Sequence, residues 1–304
     1  MAIIAIAGGT GHLGRTLAKA IIATGRHEVI ILGRKPNPDL EKSLGVPIIP
    51  VNYTDIAATT KILEDNNIHT IVSATATLVF GEAPPEVDLI RAADASCTTK
   101  RFIPSGWGIP HSREQVGQLV SVSHKLDSVK ALEEAQNLEY TVVHNGMLLD
   151  YWTTKPTEMS PFSLVVDVAH KAAAIPGDGN TPVAFTHTSD IARYVAALLD
   201  EKKWDIESTI VGDKVTWNEF VKLAEAAQGA KFDVKYDSVD DLNSGKVTEL
   251  PSQVPAYQFV PKEVFQGFCI TFGQWFASGA FDLTPSKALP GLTPMTVKEA
   301  LEFK

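Results

Sequence analysis

Three glycines at a spacing of three, Gly8, Gly11 and Gly14 in "GGTGHLG", lie between an apolar run and a helix-like pattern. Glycine is costly to order, so such a cluster implies a backbone shape or a close approach that a Cβ would forbid. At a strand-to-helix turn the three positions differ in role. The first permits the tight turn, the second leaves bare backbone beside a pyrophosphate, and the third lets the helix pack close to the strand. The helix N-terminus that follows offers N–H groups and a partial positive charge to phosphate oxygens. The chemistry predicted is dinucleotide binding, with Thr10, His12 and Leu13 in the same turn. At the end of the next apolar segment, where NAD-binding chains place an acidic residue for the ribose 2′-hydroxyl, stand Arg34 and Lys35, and Asp39 comes only later. A cationic pair there suits a 2′-phosphate, and Arg can bind it in bidentate fashion. The expected cofactor is NADPH/NADP; the plain alternative for the pair is a solvated basic loop.

These residues need elements to hold them, and the first half of the chain supplies a regular alternation. "AIIAIAG", "HEVIILGR", "VPIIPVNYTD", "IHTIVSAT", "KRFIPSGWG" and "EYTVVHNG" read as six strands. Leu13, Leu17 and Ile21 mark one face of the first helix, and "IAATTKILEDNN", "PEVDLIRAADAS" and "SHKLDSVKALEEAQN" supply three more. Strand and helix in this rhythm predict an α/β fold with a Rossmann-type doubly wound parallel sheet. Residues 1–150 form the predicted NADPH-binding domain. Segment 182–213 is expected to return to it, through a helix capped by Ser189 or Asp190 and through "ESTIVGD" joining the sheet. Residues 151–181 and 214–304 then form a smaller C-terminal substrate-binding lobe, closed by the aromatic-rich "QFVPKEVFQGFCITFGQWFASGAFD".

Composition narrows the classes. A chain of 304 residues, 44% of them hydrophobic, suffices for one large domain and a smaller lobe. The net charge of −9, with no basic stripe, argues against nucleic acid. The opening "MAIIAIA" lacks a basic leader and is too short for a signal segment, and no run is long enough for a bilayer span. Cys97 and Cys269 match no metal spacing and read as small buried hydrophobes in a reducing compartment, so a cytoplasmic protein is expected, monomeric or homodimeric, with no metal.

Together, "AGGTGHLG", "LGRK", "RFIPSGWG" and "IPGDGNTPVAFTHTSDIARYVAALL" resemble the isoflavone-reductase-like, NmrA-like branch of the atypical short-chain dehydrogenases, most strongly its fungal members. "IVGDKVTWNEFVKLAE" and "PMTVKEALE" fit the same group, so the likeness spans nearly the whole chain. The resemblance implies an NADPH domain, a smaller lobe and, in active members, reduction of phenolic or polyketide-like aromatic compounds. Inactive members bind dinucleotide and act as redox-responsive regulators through a protein partner, which is the alternative here. It also implies a catalytic lysine on the helix before "NLEYT". Lys125 and Lys130 are the candidates. Val122, Val129 and Leu132 mark the packed face, which Lys125 shares, whereas Lys130 is turned about 100° away from Val129. An inward lysine is expensive without a partner or a job; the plain alternative is a rim lysine with its stem on apolar surface.

The expected cofactor-binding set is Gly8, Thr10, Gly11, His12, Leu13, Gly14, Arg34, Lys35, Ser73, Ala74, Thr75, Pro104, Ser105 and Lys125. Substrate contacts are expected from Gly106, Trp107, His111, Asn145, Met147, Tyr151 and Trp152, the last four coming off the sixth strand where ligands of such sheets bind. Packing is the alternative for Trp107 and for the cluster after the sixth strand, while His111 and His144 are candidate relays or ordinary histidines. Two departures stand out. Gly106 in "PSGWG" replaces the acidic residue of the family's "PSEWG" or "PSEFG". Tyr151 and Lys155 form a Y-x-x-x-K pair, but Pro156 ends any helix that would hold the spacing, so the pair is read as chance.

Overall fold

The computed structural model describes residues 1–77, 84–286 and 291–302. Its first elements alternate: β1 (Ile3–Ala7), α1 (His12–Thr24), β2 (Glu28–Gly33), α2 (Pro38–Leu44), β3 (Ile48–Pro50), α3 (Ile56–Asp65), β4 (Ile68–Ser73), α4 (Glu86–Ala95), β5 (Arg101–Ile103), α5 (Val120–Glu134) and β6 (Glu139–Tyr140). The six strands pair in parallel in the order β3-β2-β1-β4-β5-β6, the Rossmann order. Ile4, Ala5, Ile6 and Ala7 are all buried, as a central strand covered on both faces requires. Leu32, Leu63, Ile71, Leu89 and Phe102 share one core cluster with Leu132 of α5, which fixes that helix on the sheet.

The run read as a sixth strand is two strands. Glu139–Tyr140 pairs with β5, the chain breaks at Thr141, and β7 (Val142–His144) pairs in parallel with residues 207–209. The Thr141 hydroxyl meets that of Ser208 at 2.9 Å, a side-chain bond at the break in the ladder.

The chain divides into two compact units, with boundaries that differ from the expected ones. The first comprises residues 1–144, 189–209 and 286–292, and the second residues 145–188, 210–285 and 293–304. The second unit begins at Asn145 and keeps residues 182–188, because β11 (Pro182–Thr186) pairs with β8 (Met147–Leu148) on one side and with β13 (Asp213–Thr216) on the other. Its second small sheet joins β9 (Val166–Asp167), β10 (Ala172–Pro176) and β14 (Asp233–Asp237). The first unit regains the chain in α6 (Thr188–Leu198), from Ser189 onward, and in β12 (Glu207–Thr209). The helix starts at Thr188, so Ser189 and Asp190 lie in its first turn rather than capping it. Thr188 anchors the start instead: its N–H and hydroxyl both donate to buried Asp150, at 2.7 and 2.5 Å.

The remaining helices, α7 (Trp217–Gln228), α8 (Val239–Asn243), α9 (Lys262–Ala277) and α10 (Val297–Leu301), belong to the second unit. The aromatics of α9 stack on one another and on Phe281, as in the Phe268–Phe272 and Phe276–Phe281 contacts at 4.4 and 4.5 Å. No described helix is long and apolar enough to cross a membrane, and no described cluster of His, Cys, Asp and Glu has metal-binding form. Cys97, expected inside, is exposed: it lies in the loop after α4, where its N–H donates to Glu64. Cys269 is buried.

Candidate active site

The glycine turn has the geometry its spacing predicts. Gly8 adopts φ +72°, and a Cβ there would lie 2.6 Å from the Ala74 carbonyl oxygen. Gly14 is buried, and a Cβ on it would come within 2.7 Å of the Gly9 Cα. Gly11 is exposed and stands at the N-cap of α1, where it offers no side-chain hydrogen bond to the first turn. Bare backbone at an uncapped helix N-terminus fits a pyrophosphate. Thr10 and His12 are exposed and Leu13 half-buried at that end of the helix. The Ala74 N–H donates to Ala7 O, which places the end of β4, with Ser73 and Thr75, beside the turn. Arg34 and Lys35 follow β2 directly and are exposed, free in direction to meet a 2′-phosphate.

The second part of the site grows from the loop after β5. Four bonds fix it. The Ser105 N–H donates to Glu86 at 2.8 Å, and the Ser105 hydroxyl donates to Thr75 O at 2.7 Å. The Trp107 indole donates to Ser73 O at 3.0 Å, and Lys125 Nζ donates to Trp107 O at 2.6 Å. Trp107 is thus held at both its ring and its carbonyl. A Cβ on Gly106 would stand 2.6 Å from Val142 Cγ1, so a side chain there requires Val142 to shift. Gly108, at φ +123°, leaves open backbone next to the lysine; even a Cβ there would be 3.4 Å from Nζ.

On α5 the buried residues are Ser121, Val122, Ser128 and Leu132, while Val129, expected on the packed face, is half-buried. Lys125 turns toward the loop. Lys130 is exposed, 3.9 Å from Glu134. Burial pushes the Lys125 ammonium down to about 8, against the opposing pull of the Glu86 carboxylate. Lys125 lines a pocket of about 150 Å³ together with Glu86, Ser105, Gly106, His111 and His144, walled by Ile109, Val129, Val142 and Ile206.

The two histidines differ. Burial, with the Lys125 charge nearby, pushes His111 down to about 4. His144 ends β7 with its side chain 6% exposed, and neither ring nitrogen makes a hydrogen bond; Nε2 lies 3.7 Å from Glu207. A buried imidazole with no hydrogen bond among the described residues is costly, and here it faces the pocket with Glu207 as its nearest carboxylate.

Asn145, Met147, Tyr151 and Trp152 belong to the second unit. Asn145 is fully buried and Met147 lies in β8 against Phe185. Trp152 is a core residue, surrounded by Phe185, Trp217 and Phe220, and its indole donates to Val166 O at 2.7 Å. Tyr151 packs on Trp152 and Phe162. Tyr151 and Lys155 share no helix: a single 3-10 turn ends at Tyr151, and Lys155 Nζ donates to Glu302 O.

Two groups escaped sequence reading. Glu86, at the start of α4, resembles any acidic first-turn residue. Asp150 and His187, 3.4 Å apart and buried, form a knot with Thr157 and Thr188 that the sequence separates by more than a whole sheet strand.

A model of the NmrA-like family matches residues 2–272, and the chain belongs to that family. Oxidoreductase BOA1 of Botryotinia fuckeliana (strain B05.10) is 32% identical over 288 residues, 94% of this chain and 91% of that protein. Oxidoreductase swnN of Metarhizium robertsii is 32% identical over 321 residues, 97% of this chain and 93% of that one. Among solved structures, the binary complex of leucoanthocyanidin reductase and NADPH from Vitis vinifera superposes with a TM-score of 0.71 at 20% identity, covering 98% of both chains. That likeness speaks for the fold.

Proposed function

We propose that the protein is an NADPH-dependent reductase of a small aromatic or enone-bearing metabolite, with Lys125 as its acid–base group. The observation that carries this reading is the placement of Lys125: a half-buried lysine whose ammonium lies beside Gly108, donates to the Trp107 carbonyl and is brought down to about 8 by desolvation. The relatives named oxidoreductases and the NADPH-bound reductase of the same fold support it, as do the glycine turn and the Arg34–Lys35 pair. A pocket of about 150 Å³ is about the size of a single benzene-like ring.

The bound dinucleotide supplies hydride equivalents at its nicotinamide C4. The chain's own part is to receive the dinucleotide and manage charge and protons. The turn at Gly8–Gly14 and the start of α1 take the pyrophosphate, and Arg34 with Lys35 takes the 2′-phosphate. As a C–H bond forms at the substrate carbon, the π pair moves onto the substrate oxygen. The Lys125 ammonium, already within reach of Gly108, stabilises that oxygen and gives it a proton, ending as the neutral amine. Apolar walls from Ile109, Val129 and Val142 exclude water and strengthen this interaction. Water then returns the proton to the amine.

The test is direct. NADPH, NADP and NAD are titrated by fluorescence, and loss of NADPH absorbance is followed with isoflavones, enones, quinones and aryl ketones. Consumption by any compound, abolished in Lys125→Ala with NADPH affinity kept, is the expected result. Tight binding that separates NADP from NADPH, with no consumption across the panel, would favour a silent NADP(H)-sensing regulator instead, a reading that the absent carboxylate at Gly106 also suits.

A further inference from the structure

Three carboxylates line the Lys125 pocket. Glu133 is exposed on α5 and the Glu207 side chain is 66% exposed. Glu86 is different, at 2% exposure. A buried carboxylate is costly unless hydrogen-bonded and paired with charge. It stands at the first position of α4, yet it turns away from that helix. Oε1 accepts the Ser105 N–H at 2.8 Å and Oε2 accepts the Ser128 hydroxyl at 2.8 Å. Ser128 is one turn beyond Lys125 on α5, and Ser105 lies two residues before Trp107, whose carbonyl holds Nζ. The carboxylate therefore ties together both supports of the lysine.

We propose that Glu86 is the positioning residue of Lys125: clamped between the loop after β5 and the lysine-bearing turn of α5, it supplies the counter-charge that keeps the ammonium in its proton-donating form. Among the described residues, the other groups facing the lysine do not supply that charge. His111 comes from the loop and His144 from β7, both held toward the neutral form by burial; Glu207 acts across His144, and Glu133 is in solvent. Position 106 carries no carboxylate, and a side chain there would require Val142 to shift. Opposite charge favours the charged state of a buried amine, so loss of Glu86 lowers the lysine's pKa further.

The inference rests on Lys125 being the acid–base group, but its test needs neither cofactor nor substrate, so it fails separately from that reading. Competitive acetylation of the folded protein from neutral to alkaline pH, read by peptide mass spectrometry, reports the Lys125 midpoint. Glu86→Gln keeps an acceptor for the Ser105 N–H and can donate to the Ser128 hydroxyl; Glu86→Asp keeps the charge. The parent midpoint is expected at about 8. In Glu86→Gln it should fall by about 1, raising Lys125 labelling at pH 7 about fivefold, while Glu86→Asp stays with the parent. A Glu86→Gln midpoint equal to the parent's, or an Asp variant displaced as far as the Gln variant, overturns the proposal. Should Glu86→Gln not fold, Ser128→Ala decides, since it removes the hydroxyl that aims the carboxylate. A lowered midpoint supports the proposal and an unchanged one overturns it.

Discussion

Around Trp152, in the second unit, rings meet at centroid distances of 5.3–6.0 Å in steep, edge-on contacts, and the indole N–H has its carbonyl. Around Lys125, in the first unit, a half-buried lysine donates to one carbonyl, a buried carboxylate joins the Ser105 N–H to the Ser128 hydroxyl, and the His144 imidazole has no hydrogen bond among the described residues. Sequence reading placed aromatic and cationic residues from both regions at a substrate. The structure separates them by what they cost. Aromatic pairs that fill space stabilise the fold beyond the area they bury, whereas desolvated charges weaken it unless they are paired and hydrogen-bonded. Buried polar expense is the better pointer to chemistry than aromatic content.

That contrast can be broken by experiment. The largest stability effect is expected at Trp152→Ala, a loss of about 3–5 kcal/mol in denaturant unfolding; a loss under about 1 kcal/mol would return the ring to the substrate-facing set. Lys125→Ala should do the reverse, costing about 10²–10³-fold in turnover with stability equal to or above the parent's. If it instead unfolds the protein as Trp152→Ala does, the lysine is structural. The same lysine predicts a pH profile. It donates only while charged and is brought to about 8, so NADPH consumption should be level below that pH and fall above it, by about tenfold per pH unit.

Smaller effects sharpen the picture. Arg34→Ala should weaken NADPH binding by about 1.5–3 kcal/mol, the value of a charge-assisted hydrogen bond, and leave NADH binding nearly unchanged; equal losses would remove the 2′-phosphate assignment. Gly106→Ala should destabilise by about 1–3 kcal/mol through overpacking against Val142, and Val142→Ala should relieve it in the double variant. An additive pair would mean that something other than this contact keeps position 106 bare.

Local features were legible before the fold was known. The glycines could be assigned their separate roles because φ > 0 and close backbone approach are demands on single residues. The direction of Lys125, as opposed to Lys130, followed from helical periodicity alone. Partners set by tertiary placement were not legible. Glu86 precedes Lys125 by a helix, a strand and a loop, and nothing at Glu86 itself distinguishes it from a residue favoured near any helix N-terminus. The break at Thr141 was invisible for a related reason: "EYTVVH" has unbroken strand character, while its two halves pair with different strands, β6 with β5 and β7 with β12. The second unit begins at Asn145 rather than at residue 151, since Met147 and Leu148 pair with Phe185 and Thr186, a partner set far along the chain.

The pairing of β7 with β12 also sets an order of events during synthesis. Glu139–His144 leaves the ribosome well before Glu207–Thr209, with all of Asn145–Thr188 and α6 made in between. Throughout that interval the outer side of β7 is an open strand edge, which invites pairing with a neighbouring nascent chain. A fragment ending near residue 150 carries the whole glycine turn and Lys125, and it should still aggregate. In this chain, β7 of the nucleotide-binding unit finds its strand partner only when later sequence arrives.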